Sequence, residues 1–258
     1  MSINQCTNIE RLKEDPRFAS LKRSLDVYYG DPDREIAMDA LYGRFLMKSA
    51  LAFDIGSHVG DRIASFRRQG ACVVALEPQP HCFAVLNALY CCDGAVTLLN
   101  SACGPQPGEL TLHVNSANPT VTTASSDFIK AADGAGGWEG QVWDREMIVP
   151  VTTLDALIAE HGVPAFVKID VEGFEADVLA GLTQPVPALS FEFTTIQRDV
   201  AFQCLHHLAR LGEYGFNIAL GESQKLTFDS PVSRAQMHAH IAALPHEANS
   251  GDVYAGLV

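Results

Sequence analysis

LAFDIGSHVGD, residues 51–61, is the stretch that decides the fold of this chain. It reads as a buried strand, residues 51–55, that ends in a turn with glycines at positions 56 and 60. A second apolar run, residues 72–76, ends in Glu77, which follows Gly56 by 21 residues. An acid at the second strand tip, about 20 residues beyond a glycine turn, is typical of a nucleotide-type βαβ unit and accepts from ribose hydroxyls. The spacing therefore predicts both a parallel α/β fold and a ribose-containing ligand.

The composition of the turn narrows the class of ligand. Gly56 and Gly60 allow the backbone to pass close to a ligand, but the turn lacks the G-x-G-x-x-G pattern that admits a diphosphate. Asp54 directly precedes the turn, and an acid there disfavours a diphosphate. It suits a cationic ligand such as S-adenosylmethionine, whose sulfonium and amino groups are positive. The alternative is that Asp54 caps the following helix.

Strand and helix patterns alternate from residue 50 onward, which predicts a mostly parallel sheet with helices on both faces. Helical spacing before it predicts an N-terminal helical cap, residues 1–49, on a single domain, residues 50–258; a second cap helix is expected over 34–47. An inserted hairpin and loop is expected over residues 105–152. The predicted strands are 51–55, 72–77, 96–101, 165–170, 188–193, 215–220 and 252–257, and the predicted helices after the cap are 61–69, 79–90, 153–161, 173–182 and 197–212.

Composition limits the partners of the chain. The net charge is −13 without a basic stripe, which argues against nucleic acid and against anionic membrane surfaces. The first 20 residues lack the apolar centre of a signal peptide, and no apolar run approaches the ~20 residues of a membrane helix. The seven cysteines lack C-x-x-C spacing, so we expect reduced thiols in a cytoplasmic protein and no zinc site.

Several sequence blocks together resemble the FkbM family of S-adenosylmethionine-dependent methyltransferases. They are FDIG with Gly60-Asp61, ALEP at 75–78, TLD at 153–155, and VKIDVEGFE at 167–175 followed by Val178-Leu179. The resemblance covers roughly residues 50–195. It implies the class I methyltransferase fold, a Rossmann-like seven-stranded sheet whose last strand is antiparallel. It also implies methyl transfer, usually to oxygen, on small molecules, polyketides or sugars. Ser57-His58 stands where the family often has Ala-Asn, so contacts to the methionine moiety are expected to differ.

Candidate site residues follow from strand ends, because open α/β sheets bind ligands at the carboxyl ends of their strands. Ser101 and Ala102 are included because this fold usually places adenine contacts after the third strand. The predicted cofactor residues are Asp54, Gly56, Ser57, His58, Gly60, Asp61, Glu77, Pro78, Ser101, Ala102 and Asp170. The candidate catalytic residues are Asp170, Glu172 and His58, with Asp170 favoured as base by its location, and the candidate substrate residues are Lys168 and Glu192.

Four questions stay open from the sequence. Lys168 could form a structural ion pair with Asp170 or Glu172 instead of serving the reaction. Asp170 and Glu172 could bind a metal ion, but the sequence offers no convincing third ligand, which argues against a metal site. The competing functions are a nicotinamide-dependent oxidoreductase, which binding of NAD would favour, and a cofactor-binding partner subunit without catalysis. We expect a small-molecule acceptor, and the oligomeric state stays open, with a homodimer as one alternative.

Overall fold

The computed structural model describes the backbone of residues 5–258 and the side chains from residue 9. Ten strands alternate with ten α-helices along the described chain. The strands are β1 Leu51–Ile55, β2 Cys72–Leu76, β3 Val96–Leu99, β4 Ala102–Cys103, β5 Gly108–Val114, β6 Arg145–Thr152, β7 Phe166–Ile169, β8 Ala188–Thr194, β9 Tyr214–Leu220 and β10 Ser250–Leu257. The helices are α1 Gln5–Glu14, α2 Lys22–Tyr29, α3 Pro32–Tyr42, α4 Asp61–Arg68, α5 Pro80–Tyr90, α6 Ser126–Ala132, α7 Leu154–His161, α8 Glu175–Ala180, α9 Arg198–Leu211 and α10 Arg234–Ala243.

The central sheet has seven strands in the order β3-β2-β1-β7-β8-β10-β9. All neighbours are parallel except β10, which runs antiparallel to both β8 and β9. The strand order reverses between β1 and β7, so the carboxyl ends of these two strands form a crevice. The predicted seven-stranded, mostly parallel sheet with an antiparallel last strand is therefore confirmed, and the crevice lies at the glycine turn.

Two apolar cores cover the two faces of the sheet. Alternate residues of β1 point to opposite faces, so Phe53 and Ile55 belong to one core and Ala52 to the other. Helices α7 to α10 cover the first face, and α4 and α5 cover the second. None of the helices within residues 5–258 combines the length and apolarity needed to cross a lipid bilayer.

The N-terminal helices pack on the second face. Leu21, Leu25 and Tyr42 are fully buried in the same core as α4 and α5. Asp31 starts α3 by accepting the backbone N–H groups of Asp33 (2.9 Å) and Arg34 (3.2 Å), with Pro32 at the first helical position. The prediction of a helix over 34–47 was wrong at its end, because α3 stops at Tyr42. The first four residues of the predicted cap lie outside the described residues.

The inserted region forms a second, small sheet beside the cavity. β5 and β6 pair antiparallel as the expected hairpin, and the short β4 adds to β6 in parallel. The predicted third strand over 96–101 was too long, because it ends at Leu99 and the chain continues into β4. Between β5 and β6 the chain folds into α6 and an aromatic cluster of Phe128, Trp138 and Trp143, with Phe128 fully buried.

Candidate active site

The glycine turn after β1 is held by backbone hydrogen bonds to the neighbouring strands. The N–H groups of Gly56 and Ser57 donate to the carbonyl of Leu76, at 3.0 and 2.9 Å. Gly56 has φ +86°, and a Cβ there would collide with the backbone carbonyl of Asp170, at the end of the adjacent β7. The turn therefore lies directly against the end of β7, which only glycine permits at this position.

Gly60 has a different role from the one predicted. It starts α4 with φ +86°, and a Cβ there would meet the side chains of Leu86, Tyr90 and Tyr29. It does not line the cavity, whereas the other predicted residues do. Gly60 instead lets helices α4, α5 and α2 approach one another behind the turn, because it has no side chain to separate them.

A deep cavity opens at the carboxyl ends of β1, β2, β7 and β8. It encloses about 1350 Å³ of empty space, part of which is open to solvent. Its wall includes all the predicted site residues except Gly60: Asp54, Gly56, Ser57, His58, Asp61, Glu77, Pro78, Ser101, Ala102, Lys168, Asp170, Glu172 and Glu192. Residues from five separate stretches of sequence, which were chosen because they lie at strand ends, therefore line one cavity.

Glu77 occupies the tip of β2 and is buried. Its carboxylate accepts the backbone N–H of His58 at 2.9 Å and that of Gln79 at 2.8 Å. Burial raises the pKa of Glu77 to about 8, although these two hydrogen bonds act to lower it. A carboxylate has about four lone-pair sites, so two stay available to the hydroxyls of a ribose. Asn100 braces this tip by donating to the carbonyl of Glu77 at 2.8 Å.

Asp54 lies beneath the turn, and its carboxylate accepts no hydrogen bond from any residue in the described part of the chain. It is almost fully buried, and burial raises its pKa to about 7. The side chain of Ser57 caps the turn by donating to the backbone carbonyl of Asp54 at 3.0 Å. An unpartnered buried acid beside the ligand crevice is consistent with a positively charged ligand.

His58 is held in the turn by aromatic and weak polar contacts. Its ring lies edge-on to Tyr28 with centroids 5.8 Å apart, and its Nδ1 is 3.5 Å from the Cys82 sulfur. Burial lowers the pKa of His58 to about 4. The imidazole is therefore neutral at physiological pH and a weak proton acceptor, which argues against the role of base that the sequence allowed.

Asp61 is committed to ion pairs that close one end of the cavity. Its carboxylate is 2.8 Å from the guanidinium of Arg34, on α3, and 2.6 Å from that of Arg62. Both arginines also reach Glu222, at 2.8 and 3.2 Å. Asp61 therefore anchors the N-terminal helices to the site, and its charge is not free for a ligand. Sequence reasoning missed Tyr28, Arg62 and Glu222, because they meet across distant segments.

Lys168 is fully buried and forms two ion pairs. Its ammonium is 3.0 Å from Asp170 and 2.7 Å from Asp252, on β10. Burial acts to lower the pKa of Lys168, but the two carboxylates outweigh it and hold the pKa well above its ordinary value. The structural ion pair that the sequence left open is thus present with Asp170, and its second partner is Asp252 instead of Glu172.

Three carboxylates meet on the other side of the crevice. Asp170, Glu172 and Glu192 each present an oxygen, and no two of these oxygens are more than 4.8 Å apart. Burial, and then the neighbouring acids, raise the pKa of Glu172 and of Glu192 well above the ordinary range. Burial also acts on Asp170, but Lys168 and Arg62 keep its pKa below the ordinary value. Asp170 is accordingly a weaker base than its location suggested.

The rest of the wall includes the residues after β3, where adenine contacts were predicted, and a group of apolar residues. Ser101 follows β3, and its hydroxyl donates to the carbonyl of Pro150 at 3.0 Å, while Ala102 lies in β4. Beyond the acids, the wall is formed by residues that sequence reasoning did not name, most of them in the insert: Leu110, Leu112, Ala124, Trp138 and Phe174. The only sequence signal for them was the expectation that the inserted loop lies near the ligand edge.

The strand order, with β10 antiparallel between β8 and β9, is that of a class I methyltransferase. The family model described as the methyltransferase FkbM domain matches residues 54–218, well over half of the chain. The chain belongs to the FkbM methyltransferase family, and its methyl donor is S-adenosylmethionine. The cavity fits this donor, because Glu77 keeps free acceptor sites for a ribose and the buried carboxylate of Asp54 has no partner among the described residues.

Among the solved structures similar to this chain, at low identity, are three named as methyltransferases. A precorrin-6y C5,15-methyltransferase from Geobacter metallireducens GS-15 is 13% identical with a TM-score of 0.44, over 87% of this chain and 86% of that one. A TehB-like SAM-dependent methyltransferase from Corynebacterium glutamicum is 10% identical with a TM-score of 0.45, over 86% and 88%. An O-methyltransferase from Bacillus cereus in complex with SAH is 10% identical with a TM-score of 0.40, over 93% and 91%. The search of curated proteins found no match.

Proposed function

We propose that this enzyme methylates a hydroxyl oxygen of a small molecule, such as a sugar or a polyketide-type metabolite. The observation that carries the proposal is the acid cluster, Asp170, Glu172 and Glu192, which lines the same cavity as the glycine turn. An alcohol needs its proton removed as it attacks, and a carboxylate within hydrogen-bond reach can accept that proton. An amine acceptor that attacks in its neutral form needs such a base less.

S-adenosylmethionine, when bound, supplies a methyl group on a positively charged sulfur that already leaves readily. The residues of this chain then have three tasks. Glu77 accepts from the ribose hydroxyls, the turn keeps the donor close to the end of β7, and the buried walls exclude water. These tasks position the two reactants, which is where most of the rate enhancement of a methyl transfer can arise.

Within the acid cluster, Glu172 is the best candidate for the proton acceptor. Its side chain is 9% exposed, and its carboxylate accepts no hydrogen bond from a described residue, while Asp170 is occupied by Lys168. The backbone around Glu172 is fixed, because its carbonyl accepts the hydroxyl of Thr123 at 2.6 Å. Glu172→Gln should therefore lower turnover by about 10²–10⁴-fold and leave donor affinity unchanged.

The apolar wall supports a small acceptor. Leu110, Leu112, Trp138 and Phe174 border the cavity beyond the acids, and such a surface suits a sugar ring face or an aliphatic chain. The net charge of −13 disfavours a nucleic acid or an anionic membrane as the acceptor. The oligomeric state stays open, with a homodimer as one alternative, and the mass of the protein in solution decides it.

The experiment is a binding measurement followed by a transfer screen. S-adenosylhomocysteine should bind in calorimetry and raise the melting temperature, because it binds the folded state alone. Mass spectrometry would then follow a gain of one methyl group on hydroxylated metabolites and sugars, with matched amines as the competing acceptors. Binding of NAD in place of S-adenosylhomocysteine would contradict the proposal. Tight donor binding without transfer to any acceptor would favour the non-catalytic subunit.

A further inference from the structure

Glu172 and Glu192 are the two acids of the three-carboxylate cluster that form no ion pair within residues 9–258. The nearest cation, Lys168, has its ammonium between Asp170 and Asp252. Neither Glu172 nor Glu192 forms an ion pair or accepts a side-chain hydrogen bond within residues 9–258. Buried carboxylates are costly unless they are paired, hydrogen-bonded or bound to a metal. A cation bound between them would satisfy both carboxylates.

The spacing of the three acids matches the coordination of one ion. Their oxygens lie within 4.8 Å of one another. Opposite oxygens are about 4.2 Å apart across Mg²⁺ and about 4.6–5.2 Å apart across Ca²⁺, so all three could bind one ion of this size range. Carboxylate oxygens are also the ligands that these hard cations prefer.

A second, independent feature directs Glu172 into this position. The residue is 9% exposed, its carboxylate has no partner within residues 9–258, and it lines the cavity. The loop that carries it is fixed by Glu175, whose carboxylate accepts the backbone N–H groups of Val171 at 3.1 Å and Gly173 at 3.2 Å. The hydroxyl of Thr123 holds the carbonyl of Glu172 from the insert. The carboxylate is thus held on a rigid loop while nothing in the described chain satisfies it.

We propose that Asp170, Glu172 and Glu192 bind a divalent cation that holds the acceptor hydroxyl beside the methyl donor. The inference rests on the proposed function and gives the acid cluster its means of action. The bound hydroxyl loses its proton to the uncoordinated oxygen of Glu172 and then to water at the cavity mouth. Its oxygen forms a bond to the methyl carbon as the carbon–sulfur bond breaks, and the electron pair of that bond returns to sulfur. The products are a methyl ether and neutral S-adenosylhomocysteine.

Mn²⁺ alone is the probe, because it prefers oxygen ligands and is detected by paramagnetic resonance as well as by calorimetry. The metal-free protein without donor should bind one Mn²⁺, and excess Mg²⁺ or Ca²⁺ should displace it. Glu172→Gln and Glu192→Gln should each weaken Mn²⁺ binding at least tenfold, since even outer contacts of a metal site are worth about that factor. The matched control is Glu160→Gln, whose side chain is 74% exposed on α7. Melting curves of all three variants check that each is folded.

S-adenosylhomocysteine binding is measured on the same preparations. The proposal predicts that it persists in Glu172→Gln and Glu192→Gln and that Mn²⁺ and S-adenosylhomocysteine bind together. Mutual exclusion of the two would overturn the metal site and assign the acids to the amino group of the donor. Donor binding without Mn²⁺ binding, or Mn²⁺ binding that both variants retain, would overturn it too while the methyltransferase proposal stands. A folded protein that binds neither would overturn both.

Discussion

Replacing Glu77 tests the link between the strand-tip acid and the methyl donor. Glu77→Ala removes the acceptor that we assign to the ribose hydroxyls. Hydrogen bonds to a charged group contribute about 1.5–3 kcal/mol, so affinity for S-adenosylhomocysteine should fall about 10- to 150-fold. The structure adds a second cost, because the backbone N–H groups of His58 and Gln79 also lose their acceptor. Both residues border the cavity, so water can replace the carboxylate there and the fold should survive.

Calorimetry gives the affinity and a melting curve gives the stability of the same preparation. Glu160→Ala is the control, because this exposed acid is remote from the cavity and its loss should change neither quantity measurably. We expect a small loss of stability in Glu77→Ala and a large loss of affinity. A well-folded Glu77→Ala variant with wild-type affinity would refute the reasoning and place the ribose elsewhere. Equal losses of affinity and folding would show that the acid serves the turn alone.

Three further predictions concern the turn, the buried ion pair and pH. Gly56→Ala should abolish donor binding and destabilise the fold, because the new Cβ collides with the end of β7. The control is Gly134→Ala, which has φ +73° and open space around it, so its melting curve should show only the cost of the unfavourable backbone torsion. Lys168→Met should cost about 3–5 kcal/mol in denaturant unfolding because it leaves the buried Asp252 and the partly exposed Asp170 unpaired, while Lys130→Met on the surface should cost under about 0.5 kcal/mol. Donor affinity should rise by up to about tenfold per pH unit from pH 6 to 8, because the pKa of Glu77 is raised to about 8 and its ionised form binds the ribose; a flat calorimetric profile would contradict this.

The order of strands and helices followed from local patterns. Alternating apolar strands and amphipathic helices predicted the parallel sheet, and the strand-end rule then placed Glu77, Asp170 and Glu192 at one edge. These inferences succeeded because each depends on a short segment and on a general topological rule. Gly60 was assigned to the ligand for the same local reason, yet its neighbours are helices α2 and α5, which no spacing around the turn could reveal.

Pairings between distant segments could not be predicted. Asp252 reaches Lys168 across 84 residues because β10 inserts between β8 and β9. Arg34 reaches Asp61 from the N-terminal helices. The third acid of the cluster was visible as a strand-end residue, but sequence gave no distance between Glu192 and Glu172. The sequence offered two acids, too few for a metal site, whereas the structure places a third within 4.8 Å of them, so that the three can bind one ion.

The acids of this site fall into two groups, those with a positively charged partner within the chain and those without one. Asp61 and Asp170 both border the cavity, and arginines or a lysine already balance their charge. Glu172 and Glu192 border the same cavity without such a partner, and Glu77 has only neutral amides. A charge balanced internally can be kept for stability alone, whereas a buried unbalanced charge costs free energy in the empty protein. The acids without a charged partner, Asp54 among them, all line the one cavity, where a bound ligand can offset this cost.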